Sequence, residues 1–445
     1  MRTLPHRPAT SPPPATTPAH PHDRTRQPTD PATAPPRPRW PGHDLLAVPE
    51  TAQVLSAAWS GDPAVVVPSP PGAGKTRLVA LLAAALAHRA DLRVGLAAQT
   101  REQALELARR IGTLSDRARL IWPAKNGQPD SGNTPAVHGG KAVFPHDHGG
   151  ILIATTARWL YGSPTALGCD VMLVDEAWQA TYGDLGALGA YAAQIVCVGD
   201  PGQIDPVVTG STARWQHNPT GPHLPAPDAL RAAHGDAIGV ITLRHTWRLG
   251  PDTTALIQPA FYPALPFTSR RPPEHLTTAT GTVLPELSHL VVTATGGPGD
   301  PTPLAACAAR ARDLLTTTTI TDATGTRPTT PADVTVVCAH VAQAAAVRAA
   351  LADLPDVLVG TANQLQGLER PAVVVLHPLA GYRDLTAGFT LDLGRACVML
   401  SRHRAHATVI LDAATPDVLR AADPDDHAAR VHRALTADLL DRPTT

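Results

Sequence analysis

Gly72, Ala73, Gly74, Lys75 and Thr76 form one short run whose types and spacing suit a phosphate chain. They sit inside AVVVPSPPGAGKTRLVA, Ala64 to Ala80, where an apolar run leads into a Gly/Pro-rich turn and then a helical pattern. Small residues let successive backbone N–H groups wrap an anion, and the helix that follows adds the positive end of its dipole at the same point. Lys75 can then reach the β/γ-phosphates, and the Thr76 hydroxyl can ligate Mg²⁺. The usual pattern is G-x-x-x-x-G-K-[ST], and Ser69 occupies the position of its first glycine.

Two further clusters complete a reaction. Asp175 and Glu176 follow the apolar run Val171 to Val174. A carboxylate at the C-terminal end of a buried strand beside a phosphate loop can hold Mg²⁺, which is the part of Asp175. Glu176 is then placed to take a proton from an attacking water. Gln203, in Gly199-Asp200-Pro-Gly-Gln203, is a neutral amide able to hydrogen-bond a terminal phosphate or that water. His138, His146 and His148 lie in a polar stretch with no cysteine or carboxylate framework, and read as loop histidines rather than metal ligands.

These groups need a scaffold that sets strand ends side by side. Strand-like runs at 64–67, 93–98, 151–154, 170–174 and 194–198 alternate with helical patterns, notably 49–60, 76–89 and 101–111. Short β-branched runs between helices predict a parallel, helix-covered sheet. Residues 112–150 read as a long loop. A second series follows at 238–243, 289–293, 333–338, 356–360, 372–376, 396–400 and 407–411, with helices near 303–315, 341–353 and 425–441. Segments 263–287 and 294–302 read as loops. The chain therefore divides into a Pro-rich disordered tail over 1–42, one α/β domain over 43–222, a second over 223–420, and a C-terminal helix and tail over 421–445.

Composition narrows the classes. The chain has 445 residues with 43% apolar, enough for a sizeable core, and only 4% aromatic, so that core must be mainly Ala, Val and Leu. Net charge is −1; the tail carries six Arg and two Asp, which leaves −5 on the rest. Any polyanion site must be local. The five cysteines show no C-x-x-C spacing, so neither a zinc site nor a disulfide framework is indicated. No apolar run reaches the roughly 18 residues of a membrane span, and no secretory signal opens the chain. A reducing, cytoplasmic setting is expected, with no membrane partner. The tail is a candidate arm for a protein partner.

The order SPPGAGKT, DEAWQ, GDPGQIDP resembles the superfamily 1 helicases, in particular the group containing the RNA-surveillance helicases, whose second motif reads DEAxQ. Further elements resemble the family's motifs in order. They are Ala97 to Leu105 (motif Ia), Leu243 to Arg248 (with Trp247 at a usual Tyr), Val337 to Gln343 (with His340 at a usual Tyr), Gly360 to Glu369 (motif V, with Asn363 at a usual Asp) and Val398 to Arg404 (motif VI). Gln53, 22 residues before Lys75, fits the family's adenine-reading Gln. The resemblance covers about 45–412.

It implies two tandem RecA-like parallel-sheet α/β domains with ATP in the cleft between them and Mg²⁺ on Thr76 and Asp175. Arg248 and Arg402 would come from the second domain onto the γ-phosphate as catalytic groups beside Glu176 and Gln203. Trp247 would stack on adenine, Glu369 would touch the ribose and Gly367 the phosphates. Single-stranded DNA or RNA would cross Thr100, Thr155, Thr156, His340 and Thr361. The expected activity is ATP hydrolysis coupled to movement on a single strand. The alternative is an ATP-switched module that clamps nucleic acid or protein without unwinding. Neither long accessory insertion that many relatives carry has room in this chain.

Overall fold

The computed structural model describes residues 39–145, 148–385 and 388–444. The tail expectation up to position 38, and His146, lie outside the described residues. From Trp40 the chain forms one unit. Trp40, expected in the tail, already packs on the first core, its ring edge-on to His43 at 5.7 Å.

Among the described residues, eighteen strands follow in chain order. The first eight are β1 (Ala64–Pro68), β2 (Arg93–Ala98), β3 (Ala118–Ile121), β4 (Ala136–Val137), β5 (Gly150–Thr155), β6 (Cys169–Asp175), β7 (Ala192–Gly199) and β8 (Gly239–Val240). The next six are β9 (His245–Thr246), β10 (Thr268–Ser269), β11 (His275–Thr278), β12 (Leu287–Val292), β13 (Thr318–Asp322) and β14 (Gly325–Pro328). The last four are β15 (Val334–Cys338), β16 (Leu358–Thr361), β17 (Arg370–Leu376) and β18 (His403–Asp412). Two of the sheets are wholly parallel. The larger has the order β4-β3-β5-β2-β6-β7-β1-β8, the smaller β12-β18-β17-β15-β16. This is the two-sheet RecA-like α/β architecture. Strands β9 and β10 form a parallel pair, and β11, β13 and β14 a small antiparallel sheet.

The central strands are apolar almost without alternation because helices cover both faces. Helices α1 (Pro49–Ser60), α2 (Lys75–Arg89) and α3 (Arg101–Gly112) begin where the sequence places them. In α2 every residue from Leu78 to Ala87 is buried. Its Leu/Ala composition suits a helix enclosed on all sides.

Four expectations change. Residues 112–150 are not one loop: they supply β3 and β4, which widen the first sheet. Residues 238–243 do not open the second domain, since β8 pairs with β1. The helix Ala226–His234 also belongs to the first half, where Asp228 accepts a hydrogen bond from Trp178 at 3.0 Å. The division between the halves thus falls near Leu243 rather than at 222. Segment 396–400 is part of the helix Leu393–Leu400, capped by Asp392, whose carboxylate accepts from Arg395 N at 2.8 Å. A five-residue apolar run suits a buried strand or a buried helix equally, and the cap decides. The stretch 263–287 holds β10 and β11. The C-terminal helix His427–Leu440 packs on the second half through Leu435 and Leu439, and Thr444 bridges to His289.

Parallel strands end on one edge, so the loops after β1, β2, β5, β6 and β7 share one rim. Those after β15, β16 and β17 share the rim of the second sheet. Ligand groups of open parallel sheets gather at such rims.

The second half also buries His377, His403, His406 and His432. Burial is the first cause in each case and lowers them to about 3, 3, 4 and 4. Their folded values lie below that of an unfolded histidine, so the unfolded chain binds protons first as pH falls. Stability is complete above about pH 6.5 and declines through pH 5. Urea denaturation should show a loss of at least about 2 kcal/mol between pH 7 and pH 5; an unchanged midpoint would contradict the buried, uncharged histidines.

Candidate active site

The turn after β1 sets the site. Gly72 and Gly74 have φ of +73° and +83°. A Cβ on Gly72 would fall on the Arg248 side chain, while one on Gly74 would meet nothing, so the first glycine answers to packing as well as to backbone. Ser69 has no left-handed backbone, is fully buried, and donates its hydroxyl to Val67 O at 3.1 Å. A serine therefore fits where the pattern has glycine. Residues 246–248 of the second half hold the turn down: Thr246 Oγ1 donates to Pro71 O at 2.7 Å and Trp247 N to Gly72 O at 2.9 Å.

A cleft of about 660 Å³ opens beside this turn. Gly72, Gly74, Lys75, Thr76, Asp175 and Glu176 line it from the first half; Trp247, Arg248, Gly367 and Glu369 line it from the second. Ten of the residues named from sequence thus meet around one space from two separate sheets. Asp175 is buried, and it lines the cleft together with Thr76. Burial, and then the Glu176 charge, push the Asp175 carboxyl above the usual range, against the pull of Lys75. Hard oxygens of a hydroxyl and a carboxylate on adjoining elements suit Mg²⁺, which shares its shell with substrate phosphates rather than needing a protein cage. No group of three His, Cys, Asp or Glu among the described residues could hold a metal ion by itself. Glu176 has φ +50°, a left-handed backbone rare outside glycine, which turns its carboxylate away from the strand direction.

Arg248 is mostly buried; it pairs with Glu369 and donates to Ser401 O at 3.3 Å. Glu369 also faces Arg404 at 3.7 Å. Burial alone would raise its carboxyl, but Arg248 and then Arg404 outweigh that and hold it below the usual range. Gly367, at φ +84° with open space at its Cβ, lines the same wall.

Three expected residues stand elsewhere. Arg402 is 1% exposed and does not line the cleft; its guanidinium donates to Val398 O at 3.0 Å, Ser401 Oγ at 2.9 Å and Leu368 O at 3.4 Å. Burial and then Arg248 lower it to about 10. Three acceptors of the second half, Val398, Ser401 and Leu368, hold it turned inward. Gln203 is buried behind the wall, joined to the cleft through Gln366, whose amide donates to Gln203 Oε1 at 3.2 Å. Gln53 is exposed on α1 and lines neither the cleft nor the pocket beside it.

That adjoining pocket, about 370 Å³, shares Gly72, Gly74, Arg77 and Trp247 with the cleft and includes Ala73. Trp247 is 49% exposed on the rim between them.

The residue that sequence reading passed over is Asp200. It is 1% exposed and binds four groups. Lys75 Nζ lies 3.4 Å and Gln203 Nε2 2.8 Å from Oδ2; Tyr262 OH lies 2.7 Å and Gly202 N 3.1 Å from Oδ1. Tyr262 comes from the second half and also meets Cys397 Sγ at 3.1 Å. The signal was present: like Asp175, Asp200 is a carboxylate at the C-terminal end of a buried strand, in its case β7, which pairs with β1.

Of the residues expected on nucleic acid, Thr100 and Thr155 cap helices from exposed or half-exposed positions, accepting from Gln103 N and Arg158 N, each at 3.2 Å. Thr361 is 7% exposed and its hydroxyl reaches Gln364 Oε1 at 3.4 Å. Thr156 is buried, its hydroxyl donating to Gln99 Oε1 at 3.2 Å, so it offers no surface. His340 accepts or donates to Tyr382 OH at 2.7 Å and stacks on Phe389 at 5.3 Å between ring centres. His138 and His148 contact Trp122 O and Gly149 O, at 3.3 and 2.8 Å, as loop histidines do.

Residues 49–224 match the AAA domain family. No curated protein matches the chain. Among solved structures, the PRRSV helicase is similar at 17% identity and TM-score 0.41 over 81% of this chain and 54% of that one. Arterivirus nonstructural protein 10, a helicase, is similar at 15% identity and TM-score 0.43 over 86% of this chain and 64% of that one. Its complex with DNA gives the same identity and TM-score, over 66% of that chain. The chain thus spans less than two thirds of the length of each.

Removing the Tyr262 hydroxyl tests the Asp200 network. Tyr262→Phe should cost about 1–3 kcal/mol in urea denaturation, the scale for a buried hydrogen bond to a charged group; a change under about 0.3 kcal/mol would remove this bond from the account.

Proposed function

We propose that the chain is a nucleic-acid-dependent ATPase that moves along single-stranded DNA or RNA, a minimal superfamily 1 helicase of the DEAxQ kind. One observation carries the reading: the phosphate turn, Asp175 and Glu176 face Arg248, Gly367 and Glu369 across a single cleft. The match of residues 49–224 to an AAA domain supports it.

In this reading Lys75 and the backbone of Gly72 to Thr76 bind the phosphates, and Thr76 and Asp175 would hold Mg²⁺, which would supply positive charge to the phosphate chain. Glu176 accepts the proton of the attacking water. Arg248 leaves Glu369 for the γ-phosphate and supplies positive charge where negative charge builds. Arg402 stays in its loop and adds positive potential from behind the wall. Asp200 positions the Lys75 ammonium. Closing and reopening of the cleft moves the rims of the two sheets relative to each other.

Single-stranded nucleic acid lies along those rims. Thr100 and Thr155 stand at the ends of β2 and β5 and His340 near the end of β15; Thr361 ends β16 but, like Thr156, is buried and supports the rim from beneath. Tyr161, 88% exposed just after the Thr155–Thr156 turn, and Phe389, 43% exposed against His340, offer ring faces for bases. No helix among the described residues is long and apolar enough to cross a membrane. All five cysteines are free and buried, which fits a reducing cytoplasmic setting. A protein partner on the N-terminal tail remains part of the proposal.

ATP turnover should rise with single-stranded DNA or RNA. Glu176→Gln should lower that turnover at least about 100-fold while retaining nucleotide binding, the scale for losing a general base. A phosphate-release assay across single- and double-stranded DNA and RNA decides it; turnover indifferent to all four, or undiminished in Glu176→Gln, would overturn the reading.

A further inference from the structure

We infer that the triphosphate site does not select among nucleobases, so that ATP, GTP, CTP and UTP are all substrates. The inference rests on the triphosphate reading of the cleft and concerns the pocket next to it.

That pocket shares Gly72, Gly74, Arg77 and Trp247 with the phosphate cleft, so a base joined through a ribose to phosphates on Lys75 has this space to enter. Its volume of about 370 Å³ suits a base and part of its sugar. Carbon makes up most of the wall: Leu45, Val48, Leu78, Leu81 and Leu243, with the Trp247 indole at the mouth.

Base selection needs donors and acceptors fixed in a geometry that one base satisfies and others leave unpaired. The polar groups of this wall are largely spent on the protein. The Thr51 hydroxyl donates to Leu45 O at 2.6 Å and to Val48 O at 3.0 Å. Asp44 pairs with Arg77 at 2.9 Å, with both side chains about half exposed. His245 Nδ1 meets Thr268 Oγ1 at 3.0 Å. Glu50 and Arg244 remain, half-exposed and exposed respectively, where water competes for every bond they make.

Among the described residues, no Asn or Gln lines the pocket. The paired donor and acceptor of a side-chain amide would read the amine and ring nitrogen of adenine together. Gln53, the amide that sequence places at this task, is exposed on α1 outside the lining. What remains is desolvation and stacking on an indole face, which every base provides. All four bases stack on an indole face, so this wall separates them by no more than about thirtyfold, against about 10⁴-fold or more where buried hydrogen bonds do the reading.

Competition binding tests this without requiring turnover. The four triphosphates displace a fluorescent ATP analogue labelled on the ribose from the full chain in the presence of Mg²⁺. Wild type and Gln53→Ala are measured, with Lys75→Ala as the control for the cleft. The four affinities should lie within about thirtyfold of one another, and Gln53→Ala should change that for ATP by less than about twofold. ATP preferred by more than about thirtyfold, or a greater than twofold loss of ATP affinity in Gln53→Ala, overturns the inference while leaving the cleft in place. If the labelled analogue fails to bind, or binds Lys75→Ala as it binds wild type, the triphosphate reading falls and the inference with it.

Discussion

A carboxylate taken out of water must be met by donors or it destabilises the fold by several kcal/mol. Asp200 is met from both halves of the molecule. The Lys75 ammonium reaches it from the phosphate turn, Gln203 and Gly202 from its own loop, and Tyr262 from the second half. The interaction sets the position of the lysine that would neutralise a phosphate. It also makes that position depend on how the second half is seated. Two close approaches reinforce the seating: a Cβ on Gly202 would strike the Tyr262 ring, and one on Gly394 would lie 2.6 Å from Gln203 O. Side chains larger than hydrogen at either glycine would force the halves apart at the point where the site is assembled.

The cleft follows from that seating. Parallel sheets deliver their loops to one edge, and the second half is joined to the first so that residues 246–248 lie on the phosphate turn. Arg248 enters the cleft because Trp247 and Thr246 are hydrogen-bonded to the turn itself. Arg402 has no such tie. It follows the helix Leu393–Leu400 and finds its acceptors at Val398 in that helix, at the neighbouring Ser401 and at Leu368 before β17, all in its own half, so it stays out of the cleft. The two arginines look alike in sequence and differ in structure because only one of them is anchored to the opposite half.

The fold was legible where a long pattern met a strong punctuation mark. The strands around the phosphate turn and the helices α1 to α3 are marked by β-branched runs, by Thr100 as a cap and by glycine at the turn. Legibility failed where a pattern was short. Ala396 to Leu400 is apolar throughout, and only the Asp392 cap distinguishes helix from strand. Strands β3, β4 and β8 are two to four residues long and are held by their sheet neighbours rather than by propensity. In the site, residues whose place is set by the turn or by a strand end could be located directly: Gly72, Gly74, Lys75, Thr76, Asp175 and Glu176 all line the cleft. Residues whose role depends on direction could not. Gln53, Thr156 and Arg402 have suitable side chains, but helix phase or local hydrogen bonding turns them elsewhere.

The central claim is that the second half reaches the triphosphate through Arg248. The most direct measurement compares Arg248→Ala with wild type in affinity for a non-hydrolysable ATP analogue and in ATP turnover. The account predicts analogue binding within a few fold and turnover reduced by about 10³-fold or more, as for other guanidinium groups placed on a transferring phosphoryl. Turnover within about tenfold of wild type would contradict it.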